Sequence, residues 1–132
     1  MSNNIQTVNI PGKGEATITI TGVTNAAYIQ NVIVEVISSS SKSPQTGQFN
    51  GTGEDVPFKG HFSLTDVPLP ATVKFTFSYS KDGGSTYFPA HGTEQKTEKI
   101  GPVINTYTVT SEDSEDNDDN DTVMELSIHS YQ

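Results

Sequence analysis

The chain has 132 residues, enough for one domain with one core. It has no cysteine, which excludes a disulfide framework and a thiolate metal site. Its net charge is −9, from sixteen acids against seven bases, and no basic patch is present to meet the phosphates of nucleic acid. No apolar run is long enough to cross a bilayer, so membrane insertion is not expected. The opening Met-Ser-Asn-Asn lacks a charged and an apolar region, so no secretion signal is read there. Cytoplasmic synthesis is expected, with release or cell-surface display left open.

Taken in chain order, the periodicity is mostly two. Ala16 to Thr21 alternates Ile18 and Ile20 with threonines, which predicts a half-buried strand. Gly22 to Tyr28 reads as a turn-rich loop, and Ile29 to Ile37, rich in β-branched residues, as the next strand. The polar stretch Ser38 to Gly60 reads as a surface excursion holding at most one short strand. Gly12-Lys13-Gly14 and Gly51-Thr52-Gly53 read as turns rather than phosphate cradles. Val73 to Tyr79 is the cleanest alternation, and Lys81-Asp82-Gly83-Gly84 after it carries a hairpin signal. Asn105 to Thr110 and Thr122 to His129 read as two further strands. No window combines helical apolar spacing with a cap and freedom from Gly or Pro. The expected fold is all-β, an antiparallel β-sandwich of about nine strands, with residues 1–132 as a single domain.

The acidity is local. Seven carboxylates fall within the ten residues from Glu112 to Asp121, leaving nine acids elsewhere against seven bases. An acidic run is ordinarily a solvated tail. This one is not terminal: Met124, Leu126 and Ile128 alternate with polar residues after it, so the chain returns at once to the core. Two unit charges about 6 Å apart repel by roughly 0.7 kcal/mol even in water. A loop with both ends anchored makes many such pairs, and cations relieve them. Carboxylates mixed with Asn, without His or Cys, favour calcium. An EF-hand fails: from Asp116 its sixth position is Asp121 instead of Gly, and its twelfth is Ser127 instead of Glu. Seven acids exceed the needs of one ion and suggest two close together.

The segment SEDSEDNDDNDTVMELSI, Ser111 to Ile128, resembles the calcium loop of the LecB-type, fucose-binding lectin II family of bacterial lectins. That family carries S-E-D-x-x-D-N-D-x-N-D before an apolar last strand. Asn25-Ala26-Ala27, followed by QNVIVEV, resembles its N-terminal sugar loop and next strand. Residues 38–105 align poorly.

The resemblance implies a β-sandwich that binds monosaccharides through two adjacent Ca2+ ions, with sugar hydroxyls completing both shells. It implies Glu112, Asp116, Asp118, Asn120 and Asp121 as loop ligands, and Asn25 as an oxygen donor from the other segment. Asp113 would accept a hydrogen bond from the sugar. The expected sugar-binding set is Asn25, Ala26, Ala27, Glu112, Asp113, Asp116, Asp118 and Asp121. In the family a hydroxyl residue directly after the Asn goes with fucose, and alanine with mannose, so Ala26-Ala27 points to mannose-type sugars with fucose as a second ligand. Tyr28 departs from the small residue usual at its place: its ring either walls the pocket or belongs to the core or rim.

Family members end in a small residue whose carboxylate reaches a neighbouring subunit's calcium. This chain ends in Ser130-Tyr131-Gln132, one residue longer, so the Gln132 carboxylate is the expected metal ligand only if the last turn absorbs that residue. A homodimer or higher homo-oligomer is expected. The rival class is a calcium-stabilised structural or adhesion module whose ions only stiffen the loop. A glycosidase reading is disfavoured, because paired catalytic carboxylates need unlike environments. His61, His91 and His129 have no metal spacing and read as surface or strand residues.

Overall fold

A computed structural model describes residues 5–38, 45–57, 62–89, 91–100, 104–112 and 122–130. At 25–28, 52–57, 91–100, 104–105, 111–112 and 130 the description is of the backbone. The strands are β1 (Ile5–Ile10), β2 (Glu15–Ser38), β3 (Gln45–Pro57), β4 (Phe62–Pro68), β5 (Ala71–Ser80), β6 (Phe88–Pro89), β7 (His91–Ile100), β8 (Ile104–Glu112) and β9 (Thr122–Ser130). There is no helix among the described residues, and every strand pairing is antiparallel.

β2 organises the fold. Its first half pairs with β4 on one side and with β9 on the other. Its second half pairs with β5 and with most of β3, whose last residues, Val56 and Pro57, reach back to Thr24 and Val23 before the corner. One layer is therefore β4, the first half of β2, β9, β8 and β7. The other is β3, the second half of β2, and β5, whose far edge carries β1 and β6. A strand that changes sheets does so at a bulge or bend. Here the register between β2 and β3 slips twice, between Thr24 and Ala26 and again between Ala26 and Gln30. The corner of the sandwich thus lies at residues 25–28.

Even-numbered residues of β2 face inward on both sides of the corner. Ala16, Ile18 and Ile20 are buried in the first half, and Val32, Val34 and Val36 in the second. Met124, Leu126 and Ile128 of β9 and Val109 of β8 add to one wall. Val73, Phe75, Phe77 and Tyr79 of β5, Val8 and Ile10 of β1, and Phe49 of β3 build the other. All belong to one apolar cluster. Ser38 Oγ donates to the Pro68 carbonyl at 2.9 Å, tying the end of β2 to the end of β4, away from the corner.

The strands expected at Val73–Tyr79, Asn105–Thr110 and Thr122–His129 are present as β5, β8 and β9. Gly83 and Gly84 take φ of 75° and 99° in the expected turn after β5. Gly12 and Gly14, at φ 132° and 74°, bend the chain as expected between β1 and β2.

Three expectations are corrected. Gly22–Tyr28 is strand rather than loop, so the two strands read on either side of it are one. The polar excursion contains a thirteen-residue strand, β3. Gly51 and Gly53 lie within that strand, opposite Gln30 and Ala26. The physical reason sits at Gly47. The inward positions Gly47, Phe49 and Gly51 hold only one large side chain, so the apolar alternation is silent. The space beside Gly47 is filled from β4, where a Cβ on Gly47 would meet the Phe62 ring, 2.7 Å from Cε2. Residues 39–44 and 58–60 of the excursion, and His61 after it, lie outside the described residues.

Candidate functional site

Strand register builds the site. Thr24 on β2 is the partner of Thr122 on β9, and Thr122 is the partner of Ser111 on β8. These three residues form one row across three strands. Neighbouring strands are about 4.8 Å apart. The two ends of the acidic segment are therefore held one strand spacing apart, and Thr24, the residue before Asn25, stands in the next strand. One step beyond Ser111, Glu112 is the partner of His91, the first residue of β7. His91 and the exposed His129 are thus strand residues, as expected.

Of the expected site residues, Asn25, Ala26 and Ala27 lie on the backbone of β2 at its corner. Glu112 ends β8. Asp113, Asp116, Asp118, Asn120, Asp121 and Gln132 lie outside the described residues. Tyr28 is the last residue of the corner on β2, directly before Ile29. Among the described residues no group of three or more His, Asp or Glu side chains is placed to hold a metal ion. The oxygen donors sit in the segment whose two ends the register fixes. That donor set, carboxylates with Asn amides, fits hard cations such as calcium.

The floor under the row is polar and buried. Thr24, Thr122 and Gln30 are each at most 1% exposed. Thr122 Oγ1 donates to Gln30 Oε1 at 3.0 Å. Thr122 is the first residue after the acidic segment, and Gln30 lies in the half of β2 that has crossed to the other sheet. The bond therefore pins the base of the acidic segment to the opposite wall of the sandwich. Buried polar groups are kept only when paired in this way. Beside it, Asn31 Oδ1 accepts from Gln48 Nε2 at 2.7 Å and from Asn50 Nδ2 at 2.8 Å, and Asn31 Nδ2 donates to Ser78 Oγ at 3.2 Å. This cross-strand set joins β3, β2 and β5 just after the corner. Gln30 and Thr122 are not among the site residues expected from the sequence. Gln30 did carry a signal: it shares its parity with Val32, Val34 and Val36, and a polar residue on an inward face needs a partner.

The sequence profile of the fucose-binding lectin II (PA-IIL) family matches residues 8–130. Three solved structures share the fold. The C-terminal domain of BC2L-C lectin from Burkholderia cenocepacia is 21% identical, with 96% of this chain and 97% of that chain covered and a TM-score of 0.61. The high-affinity mannose-binding lectin of Ralstonia solanacearum is 22% identical, with 96% of each chain covered and a TM-score of 0.61. The Chromobacterium violaceum lectin CV2L, in complex with α-methyl-fucoside, is 20% identical, with 96% of each chain covered and a TM-score of 0.58. No individually curated protein sequence matches. The chain belongs to the fucose-binding lectin II family, whose members are sugar-binding proteins and not enzymes.

Proposed function

We propose that this protein is a calcium-dependent lectin, a single domain over residues 1–132, that binds mannose-type sugars more tightly than fucose. The observation that carries the reading is the Thr24–Thr122–Ser111 row. It sets both ends of a segment bearing seven carboxylates beside the strand corner bearing Asn25. Anchored ends confine the charge, and confined charge of one sign calls for cations.

In this reading Glu112, Asp116, Asp118, Asn120, Asp121 and Asn25 hold two calcium ions. When bound there, calcium would supply fixed positive charge for sugar hydroxyl oxygens. Asp113 accepts a hydroxyl proton in a charge-assisted hydrogen bond. The same reading includes a homodimer or higher homo-oligomer.

Ala26 decides the preference. A serine there offers a hydrogen bond to a sugar hydroxyl, and alanine does not. A sugar that depends on that bond is left with a poorly paired group, which costs about 1–3 kcal/mol where buried. A solved relative of the same fold is a mannose-binding lectin and another is in complex with a fucoside, which supports both sugars as ligands.

The test is calorimetric titration with methyl mannoside and methyl fucoside, in calcium and in chelator, for the parent and for Ala26→Ser. Mannoside ahead of fucoside, a gain for fucoside in Ala26→Ser, and no binding in chelator are expected. A parent that prefers fucoside overturns the specificity. A parent that binds neither sugar in saturating calcium overturns the lectin reading in favour of a structural calcium module.

A further inference from the structure

At the end of the sandwich that bears the candidate site, the turn after β5 ends in Tyr87, and β6 begins with Phe88; the two adjacent aromatics are 41% and 43% exposed. Among the described residues the other exposed large apolar side chains are Ile33, opposite Gln48 and Thr76, and Ile37, which borders a groove with Ile10, Pro11, Pro70 and Ala71 at the far end of β2 from the corner. Ile33 is a single apolar residue of the ordinary surface kind, and the Ile37 groove lies away from the candidate ligand site. Two adjacent aromatic rings beside a candidate ligand site are different.

Their position is fixed by register. Ser80 is the partner of Ile29, the residue after the 25–28 corner, and Tyr79 is the partner of Gln30. Phe88 is in turn the partner of Tyr79, with ring centroids 5.9 Å apart. Phe88, Tyr79 and Gln30 thus form a row across three strands, and Gln30 holds Thr122 at the base of the acidic segment. With strands about 4.8 Å apart, Phe88 lies about 10 Å from Gln30 in the sheet direction. Tyr87 stands nearer the corner strand. A Cβ placed on Gly84 would lie 3.5 Å from the Tyr87 hydroxyl oxygen and 3.9 Å from Ile29 Cδ1. The turn therefore packs against β2 just past the corner.

The turn is also held in shape. Ser80 Oγ accepts from the Gly84 N–H at 2.9 Å and donates to Asp82 Oδ1 at 2.8 Å. The Thr86 N–H donates to the same Asp82 oxygen at 2.9 Å. The Lys81 ammonium sits 5.9 Å from the centre of the Tyr79 ring. A held turn presents its rings without an ordering cost on binding, which is how preorganisation raises affinity.

We infer that Tyr87 and Phe88 form a second subsite that takes the next sugar unit of an oligosaccharide whose first unit occupies the calcium site. The inference rests on the lectin reading above. A pyranose has one face lined by C–H groups, and an exposed aromatic face buries that apolar patch while leaving the hydroxyls in water. The Tyr87 hydroxyl adds a polar handle at the rim. The calcium site reads hydroxyl geometry on one unit, and the aromatic pair selects chain length.

The test compares methyl α-mannoside with an α-linked mannotrioside by calorimetry in saturating calcium, for the parent, Tyr87→Ala, Phe88→Ala and Tyr87→Phe. The parent is expected to bind the trioside more tightly than the monosaccharide, beyond the statistical gain from repeated units. Tyr87→Ala and Phe88→Ala are expected to lose about three- to tenfold on the trioside and to keep the parent's affinity for the monosaccharide. Tyr87→Phe keeps most of the gain. Melting curves for each variant exclude unfolding as the cause. Equal affinity of the parent for both ligands overturns the subsite and leaves the lectin reading standing. So does a trioside gain that survives both alanine variants. A change in oligomeric mass in the alanine variants without a change in trioside affinity assigns the aromatics to an interface between copies and overturns the subsite. Absence of any sugar binding by the parent overturns the lectin reading itself, and the subsite with it.

Discussion

Thr122 Oγ1 and Gln30 Oε1 meet at 3.0 Å across the interior, 92 residues apart in the chain and both buried. One residue opens the last strand directly after the acidic segment, and the other lies just past the corner of β2. Thr122→Val keeps the shape and removes the donor. It is expected to cost about 1–3 kcal/mol, because a buried acceptor loses a partner. The cycle completed by Gln30→Leu and the double variant isolates the pair. Chemical denaturation measures it, and costs that simply add would show that the bond contributes nothing of its own.

On the proposed reading calcium is expected to raise the melting temperature, because an ion bound by the folded chain would relieve the carboxylates confined between Ser111 and Thr122. At about 1,000 times the dissociation constant, one bound ion stabilises the native state by roughly 4 kcal/mol. Melting curves in calcium and in chelator give the answer, and coincident curves contradict a bound ion. Asp113→Ala refines the point: it is expected to weaken sugar more than calcium, since Asp113 is assigned to the sugar and not to the metal.

Asp66 holds a φ of 55°, in the left-handed region that disfavours a side chain. The cause is a bulge: Val67 is paired with Ala16 and Leu64 with Ile18, so Thr65 and Asp66 together oppose Thr17. Asp66→Val is expected to destabilise by at least about 1–2 kcal/mol, the cost of left-handed backbone with a bulky Cβ. Asp66→Gly stays within about 1 kcal/mol of the parent, because relief of strain is offset by a freer unfolded chain. Equal stability of the Val and Gly variants would remove the strain argument.

Asp82 titrates below its ordinary value of 3.8, because the Ser80 hydroxyl and then the Thr86 N–H donate to its charged form. Its contribution to the turn is complete above the ordinary carboxylate range. It is lost as pH falls through the lowered pKa. The side chain is exposed, so the effect on global stability is small. NMR titration of the Asp82 carboxyl carbon reads it directly. Ser80→Ala is expected to move the midpoint back up, and an unmoved midpoint assigns the shift elsewhere.

β5 and β9 were legible from the sequence because each carries its own evidence: Val73, Phe75, Phe77 and Tyr79 alternate, as do Met124, Leu126 and Ile128. The acidic segment was equally plain, since clustered charge is a local property. The resemblance to the lectin family came from that same local pattern. β3 was hidden because two of its inward positions are glycines and the ring that fills the space beside Gly47 comes from Phe62 on another strand. Gly22–Tyr28 reads as a loop because glycine and small residues mark one locally, while in the fold they mark the corner where one strand changes sheets.

The sequence by itself determined the alternating strands such as β5 and β9, the alternation of Ile18 and Ile20 in β2, and the chemistry of the oxygen-rich loop. Each of these is fixed by residues within a few positions of one another. Only the tertiary structure decided that Thr24, Thr122 and Ser111 share a row, that Gln30 reaches Thr122, and that Tyr87 and Phe88 stand beside the corner. Those relations join residues dozens of positions apart. They are set by register between strands, which depends on how all the strands pack together and leaves no mark on any one segment's periodicity.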